Sequence, residues 1–331
     1  MTGEWLMYAP GSAGEYFEKR PINMFYINEK EVEENLPMGE TIEELEKSFV
    51  EYGKGEAQSS PRERNIQDGV VFNTMPAISK RLGLAGMKTY IAGPNGAHFV
   101  VLLFDSNMSR LIAVIEANKL GQIRTGALPA MVTRHLANGK GHVFTLIGSG
   151  FQAETQLKGI LEVADLSEIR VYSRTFEHAR NFAQKYSRET GMEIRPFEDV
   201  GKALKDATIV NSMTDSNNAI FSRSQLGDRY HVNLAGGNLP MRQEAADDVL
   251  AESDLVVVEH LQQALIESGE IIHLSKTEKS GKMVELKDFI LKKEDYADAG
   301  RTVFKSMGIG LEDIAAGYIV LKNMGLMEKI G

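Results

Sequence analysis

The run His142-Val143-Phe144-Thr145-Leu146-Ile147 is apolar enough for a buried strand. It passes directly into Gly148-Ser149-Gly150-Phe151-Gln152-Ala153, after which ETQLKGILEVA takes up a helical rhythm. The spacing is G-x-G-x-x-A. The first glycine permits a tight turn, the second lets the backbone approach a pyrophosphate, and Ala153 allows the helix to pack closely on the strand. The helix N-terminus then faces phosphate charge. A βα turn without ligand has the same sequence, but its setting favours a dinucleotide. Five further strand candidates follow: EIRVYSR (168–174), EIRPF (193–197), TIVNSM (208–213), HVNLAGG (231–237) and LVVVEH (255–260). Helical patterns at 176–190 and 198–205 separate the earlier ones. Such alternation predicts an α/β fold with a Rossmann-type, doubly wound parallel sheet.

The second of these strands ends Tyr172-Ser173-Arg174-Thr175. There is no acid to read a ribose 2′-hydroxyl, and the hydroxyls and guanidinium suit a 2′-phosphate. NADP(H) is therefore expected over NAD(H).

The first third of the chain has a different texture. Residues 1–22 are punctuated by Gly and Pro and read as an irregular arm. Residues 29–52 are helical in pattern, with Leu36-Pro37 ahead of a Thr41-x-x-Glu44 capping spacing. GVVFNTM, GMKTYIAG, HFVVLLFD and RLIAVIEA, within 70–115, read as hairpin-linked strands. A helix is expected over 126–137 and a last one over 310–329, apolar on one face and free to return to the first domain. The Glu/Lys mixture at 275–295 reads as a solvated connection or exposed helix.

Composition removes several functions. With no cysteine, disulfides, thiolate metal sites and a cysteine nucleophile are excluded. The seven histidines show no ligand spacing, so no metal is expected. Lys+Arg 37 against Asp+Glu 46 gives a formal charge of −9, a poor match to nucleic acid. FVVLLF (99–104) is far shorter than a membrane span, and the N-terminus lacks a secretory pattern. A cytoplasmic protein without membrane contact is expected.

Two cations stand out. Lys88 interrupts an apolar strand pattern, and Arg124 precedes or enters the first turn of the helix expected over 126–137. A cation at a helix N-terminus is unfavourable unless an anion joins it. The pair would suit a carboxylate, which arginine can grip bidentately. Alone, each reads better as a solvated charge with a buried stem.

Together, GMKTYI, EANKLGQIRTGA, LIGSGFQAETQ, VNLAGGNLPMRQE and VFKSMGIGLEDIAA resemble the motif series of the ornithine cyclodeaminase/mu-crystallin family. That family includes ornithine and lysine cyclodeaminases, an archaeal alanine dehydrogenase, and ketimine and Δ1-pyrroline-2-carboxylate reductases. The resemblance implies a homodimer. Residues 1–124 and 304–331 would form a dimerisation and substrate-binding domain, and 125–303 a dinucleotide-binding domain. It also implies a small amino or imino acid substrate whose carboxylate meets Arg124, with Lys88 as substrate and catalytic lysine. A further arginine ahead of Met75-Pro76-Ala77 falls on Arg62, with Arg64 as its rival. The pyrophosphate turn falls on Gly148, Gly150, Gln152 and Ala153, and the adenosine side on Ser173, Arg174 and Thr175. Ser212, Met213, Leu234 and Ala235 would line the nicotinamide side, and Ser306 and Gly308 would approach the cofactor.

One departure matters. Cyclodeaminases and the archaeal alanine dehydrogenase carry a catalytic aspartate where this chain has Asn238. Asparagine does not titrate near neutrality, so it cannot serve as the base of a cyclodeamination. It can orient a substrate nitrogen. Asp313, in GLEDIAA, fits a structural role at the domain junction as well as a catalytic one. The reading is a reductase of a small, cyclic 2-imino acid, or the reverse amino-acid dehydrogenase. Ornithine cyclodeaminase is the alternative. A non-catalytic binder of NADPH and a small ligand is the reading from another class.

Overall fold

The computed structural model describes residues 24–329; the arm expected over 1–22 lies outside them. The first part runs β1 (Phe25–Ile27), α1 (Glu29–Asn35), α2 (Met38–Gly53), β2 (Ala57–Ser59), β3 (Glu63–Gln67), β4 (Val70–Ser79), β5 (Leu84–Gly93), β6 (Gly96–Asp105), β7 (Arg110–Glu116) and α3 (Asn118–Leu136). The second runs β8 (His142–Ile147), α4 (Ala153–Val163), β9 (Leu166–Tyr172), α5 (Phe176–Thr190), β10 (Ile194–Phe197), α6 (Val200–Leu204), β11 (Ile209–Ser212) and β12 (Tyr230–Leu234). It continues with α7 (Asp247–Ala251), β13 (Leu255–Val258), α8 (Leu261–Glu267), α9 (Gly269–Ser275), β14 (Met283–Glu285), α10 (Leu286–Phe289), β15 (Arg301–Lys305) and α11 (Gly310–Asn323).

Two sheets result. The first has order β1-β7-β6-β5-β4-β2, with β3 also on β4. It is antiparallel except where β1 joins β7. Four of its strands are the four runs read from the sequence, whereas β1, β2 and β3 were not anticipated. The second sheet is parallel, with order β10-β9-β8-β11-β12-β15-β13-β14. It contains the six expected strands and two more. β15 inserts between β12 and β13, so the chain returns to the sheet centre after 275–295. That stretch is not merely solvated: it carries β14, and Leu286 and Phe289 are fully buried.

Three helix boundaries differ from the sequence reading. The pattern at 29–52 is two helices, because Pro37 lacks the N–H that would continue the first. The capping box forms at Asn28 and Glu31, while Thr41 sits inside α2 and donates its hydroxyl to the Pro37 carbonyl at 2.8 Å. The helix expected from 126 begins at Asn118, so Arg124 lies well inside it. The final helix ends at Asn323.

α3 joins the two sheets. It packs on α2 and, more extensively, on α4. Gly126 allows the close approach: a β-carbon there would lie 2.3 Å from the Thr155 carbonyl oxygen. A buried polar chain fixes α3 further. Gln156 donates to the Thr125 carbonyl, Asn211 to Gln156, and Asn233 to both Asn211 and Thr133, at 2.7–3.0 Å. Asn233 Oδ1 in turn meets His231, which burial holds neutral, its pKa pushed down to about 3. Each amide orientation is set by its neighbour, which makes the junction rigid. α11 is buried almost throughout and packs against α2, α3, β4, β5 and β6, so the C-terminus does return to the first sheet. No helix among the described residues is long and apolar enough to cross a membrane.

Candidate functional site

At the end of β8, Gly148 has φ +103°, and a β-carbon there would lie 2.4 Å from the Met213 carbonyl oxygen. Only glycine satisfies both conditions. Gly150 differs: a β-carbon there would meet nothing within 4 Å. The turn opens onto a cavity of about 700 Å3 lined by Gly148–Gln152, Tyr172–Thr175, His178 and the loop after β11. The cavity lies at the C-terminal ends of parallel strands, where open α/β sheets take their ligands. Gln152 Oε1 is buried there without a partner. The room above Gly150 and the unpartnered Gln152 amide are features that fit the pyrophosphate of a dinucleotide. Arg174 is exposed at the far end with no ion-pair partner among the described residues.

A second cavity of about 530 Å3 adjoins the first through Phe151, Gln152, Met213 and Gly236. Arg62, Lys88 and Arg124 all line it, with Asn238, Ala235, Ser306 and Gly308. The sequence-predicted cations thus come together beside the predicted nicotinamide end. Lys88 projects from the inner face of β5 and Arg124 from α3. Their stems are buried, with residue exposures of 5% and 6%.

Acids behind the cleft hold these cations. Lys88 Nζ and Arg124 Nε each lie 3.0 Å from Asp313 Oδ1, and Arg124 Nη1 lies 2.8 Å from Glu312 Oε2. Burial, with Arg124 nearby, pushes the Lys88 pKa down to about 8 against the pull of Asp313. Burial opposes the Arg124 charge too, but Asp313 and Glu312 outweigh it and hold the guanidinium protonated. Burial and the adjacent Glu259 raise Glu312 well above the usual carboxylate range. Arg124 is therefore not a cation at a helix N-terminus, as the sequence suggested. It is an interior residue held by Glu312 and Asp313 of α11.

Arg62 and Arg64 converge on Glu267, at 2.8 and 2.6 Å. Arg62 faces the cleft and also donates to the Met307 carbonyl, whereas Arg64 binds the Asn238 carbonyl oxygen at 2.8 Å and supports the loop. Met213 and Ala235 line the cleft. Ser212 and Leu234, expected beside them, do not: both side chains are buried, and the Ser212 hydroxyl donates to Glu244. Alternation along the strand turns them into the sheet packing. Ala153 is likewise buried, in the helix–strand contact.

Sequence reasoning named Asp313 but missed the other supporting acids. Glu244 is fully buried and accepts from Ser212 Oγ, Thr214 N and Gly236 N at 2.7–2.8 Å, tying together the loops after β11 and β12. Glu259 accepts from Ser306 Oγ, Met307 N and Gly308 N at 2.7–3.0 Å and shapes the turn after β15. Both follow or precede ordinary polar stretches, so no local signal marks them. Phe151, at the turn, is tied to α3 by a hydrogen bond from Gln122 to its carbonyl. No metal-binding cluster exists among the described residues.

Comparison with known proteins agrees with this geometry. The model of the ornithine cyclodeaminase/mu-crystallin family matches residues 23–326. A Δ1-pyrroline-2-carboxylate reductase of Bacillus cereus (strain ZK / E33L) is 30% identical over 77% of this chain and 83% of that protein. The structure of a probable ornithine cyclodeaminase from Bordetella pertussis Tohama I superposes with a TM-score of 0.85 at 25% identity, covering 92% of this chain and 98% of that one. A Thermococcus litoralis Δ1-pyrroline-2-carboxylate reductase in complex with NADH and L-proline has the same fold, with a TM-score of 0.85 at 24% identity over 92% and 98% of the two chains.

Proposed function

The chain belongs to the ornithine cyclodeaminase/mu-crystallin family, and from that premise we propose that it is a nicotinamide-dinucleotide-dependent reductase of a small 2-imino acid, able to run in reverse as an amino-acid dehydrogenase. The observation that carries this reading is the convergence of Arg62, Lys88 and Arg124 on the cleft next to the glycine turn. A bound nicotinamide supplies hydride chemistry. Gly148, Gly150 and Gln152 would hold the pyrophosphate portion, and Met213, Ala235 and Ser306 the nicotinamide end. The absence of an acid at 173–175, with Arg174 free to meet a 2′-phosphate, supports NADP(H) over NAD(H).

The chain's own residues have three tasks. Arg124 and Arg62 fix the substrate carboxylate, and their positive field favours the anion. Lys88 is charged at neutral pH but close to its titration, so it can complete the carboxylate grip or give a proton to the imine nitrogen. Asn238 orients the nitrogen without exchanging a proton. Reducing an already protonated imine needs mainly positioning and electrostatics, which this site provides.

Cyclodeamination of ornithine is the second reading, favoured by the likeness to the Bordetella protein. It requires a base where Asn238 stands, and no carboxylate among the described residues lines the cleft. Reduction of Δ1-pyrroline-2-carboxylate with NADPH carrying two deuteriums at C4 should yield proline labelled at Cα. Unlabelled proline would remove the reductase reading.

Association into a homodimer is part of the same proposal. The outer face of the first sheet exposes Phe72 43%, Ile78 43% and Ile91 47%, an apolar surface of the kind subunits cover.

A further inference from the structure

Tyr90 follows Lys88 by two residues on the same, inner face of β5, about 7 Å along the strand. Its cross-strand partner is Phe99 on β6, and the two rings stack with centroids 4.7 Å apart at 26°. Across the cleft, Gly121 precedes Arg124 by three residues and lies on the same face of α3. Each wall therefore carries a cation and, one step away, an apolar or vacant position.

The vacancy at Gly121 is unusual. Glycine inside a helix costs about 1 kcal/mol relative to alanine. Gly126, one and a half turns later, is required by the Thr155 backbone. Nothing among the described residues requires Gly121, because a β-carbon there would meet none of their atoms within 4 Å. The open space beside it is the cleft, whose remaining wall at this end is Ala97, Ala117 and Asn118. No Asp or Glu among the described residues lines the cleft. The acids nearest the cations, Asp313, Glu312 and Glu267, sit behind them and are engaged by them.

We infer that Gly121, Tyr90 and Phe99 form the substrate side-chain pocket, and that this pocket selects a bulky, uncharged hydrocarbon ring over a methyl group or a second charge. The inference rests on the imino-acid reductase reading and adds its substrate class. With the carboxylate at Lys88 and Arg124, the side chain is directed toward the stacked rings, which offer a flat apolar surface. A second carboxylate or an ammonium would lose its hydration there with no opposite charge to meet it.

The test compares three imines at fixed NADPH: Δ1-piperideine-2-carboxylate, the imine of pyruvate with ammonium, and the imine of oxaloacetate with ammonium. The native protein should favour the six-membered ring by tenfold or more in kcat/KM over each of the others. In Gly121→Leu, which fills the vacancy and raises helix propensity, the ring-to-pyruvate ratio should fall at least tenfold. Tyr90→Leu, which removes the stacked surface, should lower the same ratio. Calorimetric binding of L-pipecolate and L-alanine to the NADP+-loaded protein should follow the same order. A ratio unmoved by both variants, or a native preference for the pyruvate or oxaloacetate imine, would overturn the pocket assignment while leaving the reductase intact. Failure to consume NADPH with all three imines would instead remove the reductase reading beneath it.

Discussion

Lys88 and Arg124, brought together from β5 and α3, share a single carboxylate oxygen: Oδ1 of Asp313 lies 3.0 Å from Nζ of one and 3.0 Å from Nε of the other. Asp313 Oδ2 has no partner among the described residues. One acid thus holds two cations at the cleft and can offset only one of their charges, which leaves net positive charge facing the substrate.

The lysine of this pair sets a pH dependence. Its pKa of about 8 means that Lys88 is charged below that pH and neutral above it, some way below where a free lysine would titrate. Binding of a carboxylate needs the charged form. The inhibition constant for cyclopentanecarboxylate, whose charge is constant through this range, should be flat near neutrality and rise above pH 8. Lys88→Arg should abolish the rise. A rise that persists in Lys88→Arg would assign it to another group.

Arginine at 124 should not be replaceable by lysine. Its guanidinium spends Nε on Asp313 and Nη1 on Glu312 and still has donors for a substrate. An ammonium on a shorter stem cannot span all three. Loss of one charge-assisted hydrogen bond, about 1.5–3 kcal/mol, predicts a roughly ten- to hundredfold fall in kcat/KM for Arg124→Lys. The melting temperature should move little, since a cation still faces the buried acids. An unchanged kcat/KM would remove Arg124 from substrate binding.

The two glycines of the turn should separate folding from binding. Gly148→Ala places a β-carbon 2.4 Å from the Met213 carbonyl oxygen at positive φ and should destabilise the protein. Gly150→Ala clashes with nothing and should melt normally. It should nevertheless weaken NADPH binding tenfold or more, because the methyl occupies space left for the pyrophosphate. Normal affinity in Gly150→Ala would place the dinucleotide elsewhere.

Arg174 should read the 2′-phosphate. It is exposed, and no ion pair among the described residues competes for it. Arg174→Ala should raise the KM for NADPH roughly tenfold or more and change that for NADH far less. Equal effects on both cofactors would show that the arginine does not distinguish them.

Much of this was legible in the sequence, for identifiable reasons. A strand–glycine turn–helix unit is local, so the dinucleotide end could be read from consecutive residues. Lys88 stood out because a charge in an apolar strand is anomalous on its own. Arg124 was found for the wrong reason: no start signal marks Asn118, and the helix was placed too late to show that the arginine is internal. Ser212 and Leu234 were misplaced because the sequence gives the end of a strand but not which side chains there face in. β15 and the supporting acids other than Asp313 carry no local signal. Glu259 and Glu312 meet the site only through the return of the chain to the sheet centre and then to the first sheet, and Glu267 only through the contact of α8 with Arg62 and Arg64, none of which a local pattern encodes.

Imine reduction and diamine cyclodeamination in this cleft are told apart by setting Δ1-pyrroline-2-carboxylate with NADPH beside L-ornithine with catalytic NAD+, following reduced-nicotinamide absorbance and ammonia. A reductase should show stoichiometric loss of NADPH with proline formed in the first reaction, and no ammonia in the second. Ammonia and proline from ornithine, with no NADPH consumed by the imine, would contradict the reductase reading and show that Asn238 does not bar cyclodeamination.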